Sequence, residues 1–153
     1  MKEILRKILF MVCVVTLAGC STIDIPQYIQ DKYPYQKTLY KSFDKTLEAT
    51  RQALTDLGWT IDKEVQPSIY ERNRVVEEGE GQATLIFTDV RRTPFILGTR
   101  YAHLNIYLRG GEKVTEVEIR YLTLNSLAFK TFRHYKNDAA TERIFKKIEE
   151  NLE

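Results

Sequence analysis

The chain has 153 residues, room for one domain behind a short leader. Lys and Arg number 23 against 21 Asp and Glu, which lacks the basic excess of a nucleic-acid-binding domain. Its two cysteines, Cys13 and Cys20, both fall within the first twenty residues. The body of the chain therefore has no disulfide, thiol nucleophile or Cys-ligated zinc to draw on.

Lys2, Arg6 and Lys7 precede an uncharged run from Ile8 to Ala18. A helix that crosses the bilayer needs roughly 20 apolar residues, so the run is short for a permanent span and has the layout of an export signal. It ends in Leu17-Ala18-Gly19-Cys20, which resembles the lipobox of bacterial lipoproteins. That resemblance implies that residues 1–19 are a cleaved signal peptide. It also implies that Cys20 carries a diacylglyceryl thioether and that its new α-amine is acylated. Ser21 stands where an aspartate would resemble an inner-membrane retention signal. The expected location is thus the outer membrane, facing the periplasm, with the membrane itself as one partner. Each buried CH₂ contributes about 0.8 kcal/mol, so two or three acyl chains make a lasting anchor. Without residues 1–19 the Lys plus Arg and the Asp plus Glu counts are both 20, and the formal charge is zero.

Residues 20–36 read as the lipidated cysteine and a flexible tether, because Pro26 and Pro34 interrupt any helical or strand period. The domain then spans 37–153. Thr38 to Lys41 is a candidate short strand. The stretch SFDKTLEATRQALTDLGW predicts a helix with Phe43, Leu47, Thr50, Ala53, Leu54 and Leu57 on its inner stripe. Ser42 is placed to cap it, and Gly58 to end it in a left-handed conformation. Trp59 to Val65 reads as a strand, Ser68 to Arg72 as a short strand, Glu77 to Gly81 as a polar loop and Gln82 to Val90 as a strand. Pro94 is expected to break the chain after VRRTP, a turn with two arginines.

RYAHLNIYLR and EKVTEVEIRY flank Gly110-Gly111 and predict a long hairpin with a two-residue turn. Pairing Arg109 with Glu112 puts Ala102, Leu104, Ile106, Val117 and Ile119 on the buried face. Tyr101, His103, Asn105 and Tyr107, with Glu116, Glu118 and Arg120, then occupy the other face, with His103 beside Glu118. The second strand is expected to run on towards Phe129. Asn137 to Leu152 predicts a closing helix with Ile144, Phe145, Ile148 and Leu152 inward. The expected fold is a two-layer α+β sandwich in the order β-α-β-β-β-β-α. An antiparallel sheet of about four to five strands carries two helices on one face. The order, with ALTDLGWTI leading into a strand, resembles small periplasmic lipoprotein domains related to the C component of the barrel-assembly machinery. No functional residue follows from that resemblance.

The chemistry is sparse. Neither histidine shows a zinc spacing, EEGEG lacks the alternating ligands of an EF-hand, and no phosphate-binding glycine motif or GxSxG is present. No metal or cofactor is expected. SFDK matches a bare S-x-x-K without its companion motifs, and Ser42 is already accounted for as a cap. What stands out is the face of Tyr101, His103, Asn105, Tyr107, Glu116, Glu118 and Arg120, left open if both helices cover the opposite side. Tyrosine-rich surfaces suit recognition. The reading is a lipid-anchored, non-catalytic binding or assembly module that meets an envelope protein through this face or through a sheet edge. A second reading is a small-molecule or lipid-binding cleft walled by Trp59, Phe87, Phe95 and Phe132. A third is an enzyme acting on an envelope glycan through His103 and Glu118.

Overall fold

The computed structural model describes residues 23–71, 81–127 and 130–153. In chain order the elements are β1 (Tyr35–Leu39), α1 (Phe43–Asp56), β2 (Ile61–Val65), a 3₁₀ turn (Pro67–Ile69), β3 (Gln82–Thr88), β4 (Arg91–Phe95), β5 (Gly98–Gly110), β6 (Thr115–Leu127), β7 (Lys130–His134) and α2 (Asp138–Glu150). The fold is α+β, with an antiparallel sheet and two helices. Among the described residues the sheet has seven strands, more than the four or five expected.

The extra strands arise because β5 and β6 are long. Each spans 13 residues and is flanked by two short strands laid end to end. The half near the Gly110 turn has the order β1-β6-β5-β3-β2. At the other half β4 pairs with Gly98–Ala102 and β7 with Thr123–Leu127, forming a four-stranded arm. VRRTP is therefore an edge strand rather than a turn. Pro94 is compatible with it because an edge strand leaves one side of its backbone unpaired. Ser68 to Arg72 is not a strand as far as it is described. Pro67 opens a 3₁₀ turn there, with Tyr70 N–H bonding to the Pro67 carbonyl at 2.9 Å.

The hairpin register differs from expectation by an even step. Leu104 faces Tyr121, Ile106 faces Ile119 and Leu108 faces Val117. The connection runs over four residues, Gly111 to Val114, closed by Gly111 N–H to Val114 O at 3.0 Å. Among the described residues only Gly58 and Gly81 have positive φ, so Gly110-Gly111 does not form the expected two-residue turn. Gly110 is needed for close approach instead: a Cβ there would lie 2.4 Å from the Val114 carbonyl oxygen. A strand repeats every two residues, so the even slip leaves each side chain on its expected face.

Both helices pack on one face over Leu104, Ile106, Leu108, Val117, Ile119 and Tyr121. Thr50 is buried in α1, its hydroxyl bonded to the Thr46 carbonyl at 2.7 Å. Ser42 occupies the N-cap position without a side-chain capping bond, whereas Asn137 caps α2 by accepting from Ala140 N–H at 3.1 Å. Gly58 ends α1 at φ 72°. The opposite face is not bare. Residues 24–34 form a strap across it, beside the 3₁₀ turn, and bury two further apolar clusters. One contains Ile29, Leu122 and Leu124; the other contains Leu85, Phe87 and Tyr107. The expected free tether is thus, from Asp24 to Pro34, a third layer of the domain.

Candidate functional site

The strap is fixed by side chains that alternate along β5 and β6. Asn105 is fully buried on β5, where its Oδ1 accepts Ile29 N–H at 2.6 Å and its Nδ2 donates to the Gln27 carbonyl at 3.1 Å. An extended segment must satisfy its backbone groups when it is buried, and this carboxamide does so for two residues of the strap. His103 Nε2 donates to the same Gln27 carbonyl at 2.8 Å. Ile29 has no exposed surface, and Ile25 packs against the cluster beside it.

A buried ion cluster lies directly beside this clasp, because Arg120 faces Asn105 across the hairpin. Arg120 reaches Glu71 through Nη1 at 2.8 Å and Glu118 through Nε at 2.7 Å, with a second bond from Nη2 to Glu118. Nη1 also donates to the Tyr28 hydroxyl at 2.7 Å, and Gln36 Nε2 donates to Glu118 at 3.1 Å. The cluster joins the strap, the end of the 3₁₀ turn, β1 and β6. Burial disfavours the charged guanidinium, but hydrogen bonding and charge from Glu71 and Glu118 outweigh it, so the Arg120 pKa lies above its usual value. Burial is also the main cause that raises the Tyr28 hydroxyl. Tyr28 stacks on Tyr70 with ring centroids 5.2 Å apart, and Tyr70 in turn meets Phe87 at 5.0 Å.

The seven residues expected on an open recognition face do share one face, but it is covered. His103, Asn105, Tyr107, Glu118 and Arg120 are buried, Tyr101 is half-buried, and only Glu116 is exposed. The His103–Glu118 pair is not formed. His103 lies opposite Leu122 and Glu118 opposite Tyr107. The candidate cleft walls do not converge either. Trp59 lies in the helix-side core under the Arg91 guanidinium, 3.8 Å from its ring centre, while Phe87 lies on the strap side. Phe95 and Phe132 are exposed on the arm. Cys20 and most of the Glu77–Gly81 loop lie outside the described residues. Among those described, no group of three or more His, Cys, Asp or Glu side chains is arranged to hold a metal. No described helix is long and apolar enough to cross a membrane.

Two clefts flank β1. On the strap side a cleft of about 130 Å³ is lined by Gln36, Thr38, Tyr107, Glu116 and Glu118. On the helix side a more open one of about 430 Å³ lies between β1 and α2, lined by Tyr35, Lys37, Asp138, Phe145 and Glu149. Between them, β1 pairs only with β6 among the described residues. The Tyr35 hydroxyl donates to Asp138 and accepts Asn137 N–H at 3.0 Å, tying the edge strand to the start of α2. No protein-family model matches the chain, and a comparison with curated proteins found no match.

Proposed function

We propose that the chain is a lipid-anchored, non-catalytic lipoprotein of the bacterial envelope. It works as a binding or assembly module at the periplasmic face of the outer membrane. The observation that carries this reading is the strap. The segment that follows the lipobox cysteine by four residues is packed on the face of the sheet, with Ile29 buried and clasped by Asn105. An anchor joined to the fold in this way orients the domain at the membrane, which suits a module that presents one surface to a neighbour. The β1 edge, with a cleft on either side, replaces the covered face as the surface offered to an envelope protein, because an unpaired edge can accept a strand. The non-catalytic part of the reading is supported by the buried polar groups: Asn105, Arg120 and Glu118 are engaged in holding the strap and its neighbours.

The test is crosslinking in cells from a photoreactive residue at Thr38, with one at Glu142 on α2 as the comparison and Cys20→Ser behind an ordinary cleavable export signal as the unanchored control. One recurrent protein partner, captured from Thr38 and lost with Cys20→Ser, is the expected result. Equal and non-recurrent capture from both positions argues against the assembly role.

A further inference from the structure

The arm carries charge and apolar surface that neither the core nor the β1 edge uses. Residues 91–103 and 121–136 include Arg91, Arg92, Arg100, Lys130, Arg133 and Lys136, and no Asp or Glu. The zero net charge of residues 20–153 therefore conceals a polarised molecule, with the six cations of these two segments balanced by an acidic excess elsewhere. Lys136 pairs with Asp31 at 3.0 Å, and Arg91 is held over Trp59. Arg92, Arg100, Lys130 and Arg133 are exposed and have no carboxylate partner among the described residues. At the end of the arm, the turn from β4 to β5 presents Phe95, Ile96 and Leu97, which are 40%, 100% and 71% exposed. Turns normally carry polar residues. Ile96 and Leu97, beside the part-exposed Phe95 that closes β4, gain little for the fold and mark a contact surface.

The path of the chain says what that surface meets. The strap runs from the arm towards the Gly110 turn. Ile25 packs with Tyr101, Leu122 and Leu124, Ile29 meets Asn105, and β1 ends opposite Thr115. Its first residues lie on the arm, where Arg133 Nη2 reaches the Asp24 carbonyl at 3.4 Å. Cys20 precedes Asp24 by four residues, so it lies within about 14 Å of it whatever path the chain takes. Tyr101 is three residues from the start of β5, a distance of about 10 Å along the strand. The anchor position and the apolar tip are thus at the same end of the molecule. The Gly110 turn lies about 40 Å away along β5.

We infer that the tip of the arm is a second membrane contact. Ile96 and Leu97 enter the interfacial layer of the bilayer, while Arg92, Arg100, Lys130 and Arg133 meet anionic lipid phosphates. The chemistry is that of interfacial anchoring, in which apolar insertion and attraction of basic side chains to anionic lipids act together. The inference rests on the reading of Cys20 as the lipid anchor. Two contacts, one lipid and one protein, stop the domain from pivoting and hold the Gly110 end away from the membrane.

The experiment uses the lipidated chain in vesicles of phosphatidylethanolamine and phosphatidylglycerol that contain nitroxide-labelled lipid. Once Cys20 is lipidated and residues 1–19 are removed, Ile96→Cys is the sole free thiol and takes an environment-sensitive fluorophore. Tyr40→Cys, at the far end, is the comparison. Strong quenching and a blue shift at position 96, with neither at position 40, is the expected result. Equally weak quenching at both positions overturns the membrane contact. A further arm uses the Cys20→Ser chain freed of residues 1–19, whose own basic and apolar side chains would bind lipid, with unlabelled vesicles. It should co-sediment with them at low salt, and lose most of that binding at high salt or with Ile96→Asp/Leu97→Asp. Binding indifferent to those changes, or absent at low salt, overturns the inference. The mass of the Cys20 peptide is read separately. A bare cysteine removes the anchor reading, and the Cys20→Ser sedimentation still decides the arm.

Discussion

At Arg120 a single guanidinium serves two buried carboxylates, Glu71 and Glu118, and a tyrosine hydroxyl from the strap. Removing one partner from a buried ion pair typically costs about 3–5 kcal/mol, because a charge is left without compensation. Arg120→Met should therefore lower stability in urea by about that amount, and adding Glu118→Gln should restore part of it. A double variant no more stable than the single one would show that Glu118 is not strained by the loss. Tyr35 offers a pH handle on the β1 edge. Burial and the hydrogen bond to Asp138 push its hydroxyl up to about 12, from about 10 in an unfolded chain. The folded state thus prefers the neutral phenol. That contribution is fully present below about pH 10 and is lost as pH rises through the folded value. Tyr35→Phe should cost about 1 kcal/mol at neutral pH and flatten part of the alkaline decline in stability. Denaturant titrations across that range give both results.

Removal of the strap would uncover two apolar clusters, and Ile29 is its apolar centre. Ile29→Ala should destabilise the domain by about 2–5 kcal/mol, read by urea titration. It should also speed proteolysis between Gln27 and Asp31 relative to sites in α1. Unchanged cleavage there would mean that the strap is held by Asn105 and Arg120 alone. The elements with a single apolar stripe were legible in the sequence: α1, α2 and the β5–β6 hairpin all lie where periodicity placed them. The strap was not, because an extended segment held by side-chain carboxamide and imidazole bonds has no period of its own. A signal for it was nevertheless present. Leu85-Ile86-Phe87 is a continuous apolar run, and Leu122 and Leu124 put leucines on the face read as polar. Such runs belong to strands buried on both faces, which requires a third layer. The arm is not legible because Pro94 and the two arginines of VRRTP read as a turn, although an edge strand accommodates both. The seven residues of the expected recognition face shared a face as foreseen, since an even slip preserves it, but their exposure depended on the unforeseen layer.

At the scale of the whole molecule the charge total conceals its distribution. The arm holds six cations and no acidic residue, while the rest of residues 20–153 holds fourteen cations against twenty acidic residues, so the protein behaves as a dipole rather than as a neutral body. Its long axis is set by β5 and β6, with the strap running along that axis from the arm towards the Gly110 turn. This course has a mechanical consequence. With the proposed lipid on Cys20, tension between the membrane and the domain would enter at Asp24 and act first on the contact with Arg133. Ile25 follows, and then the paired bonds of Asn105. The strap would peel stepwise rather than shear as one unit. Its full release would add ten residues or so of slack, about 35 Å when extended, while both helices and the long hairpin remain in place. Held between a lipid-attached bead and the C-terminus, the protein should lengthen by one such step before it unfolds. The anchor would then have a short reach at rest and a longer one under load.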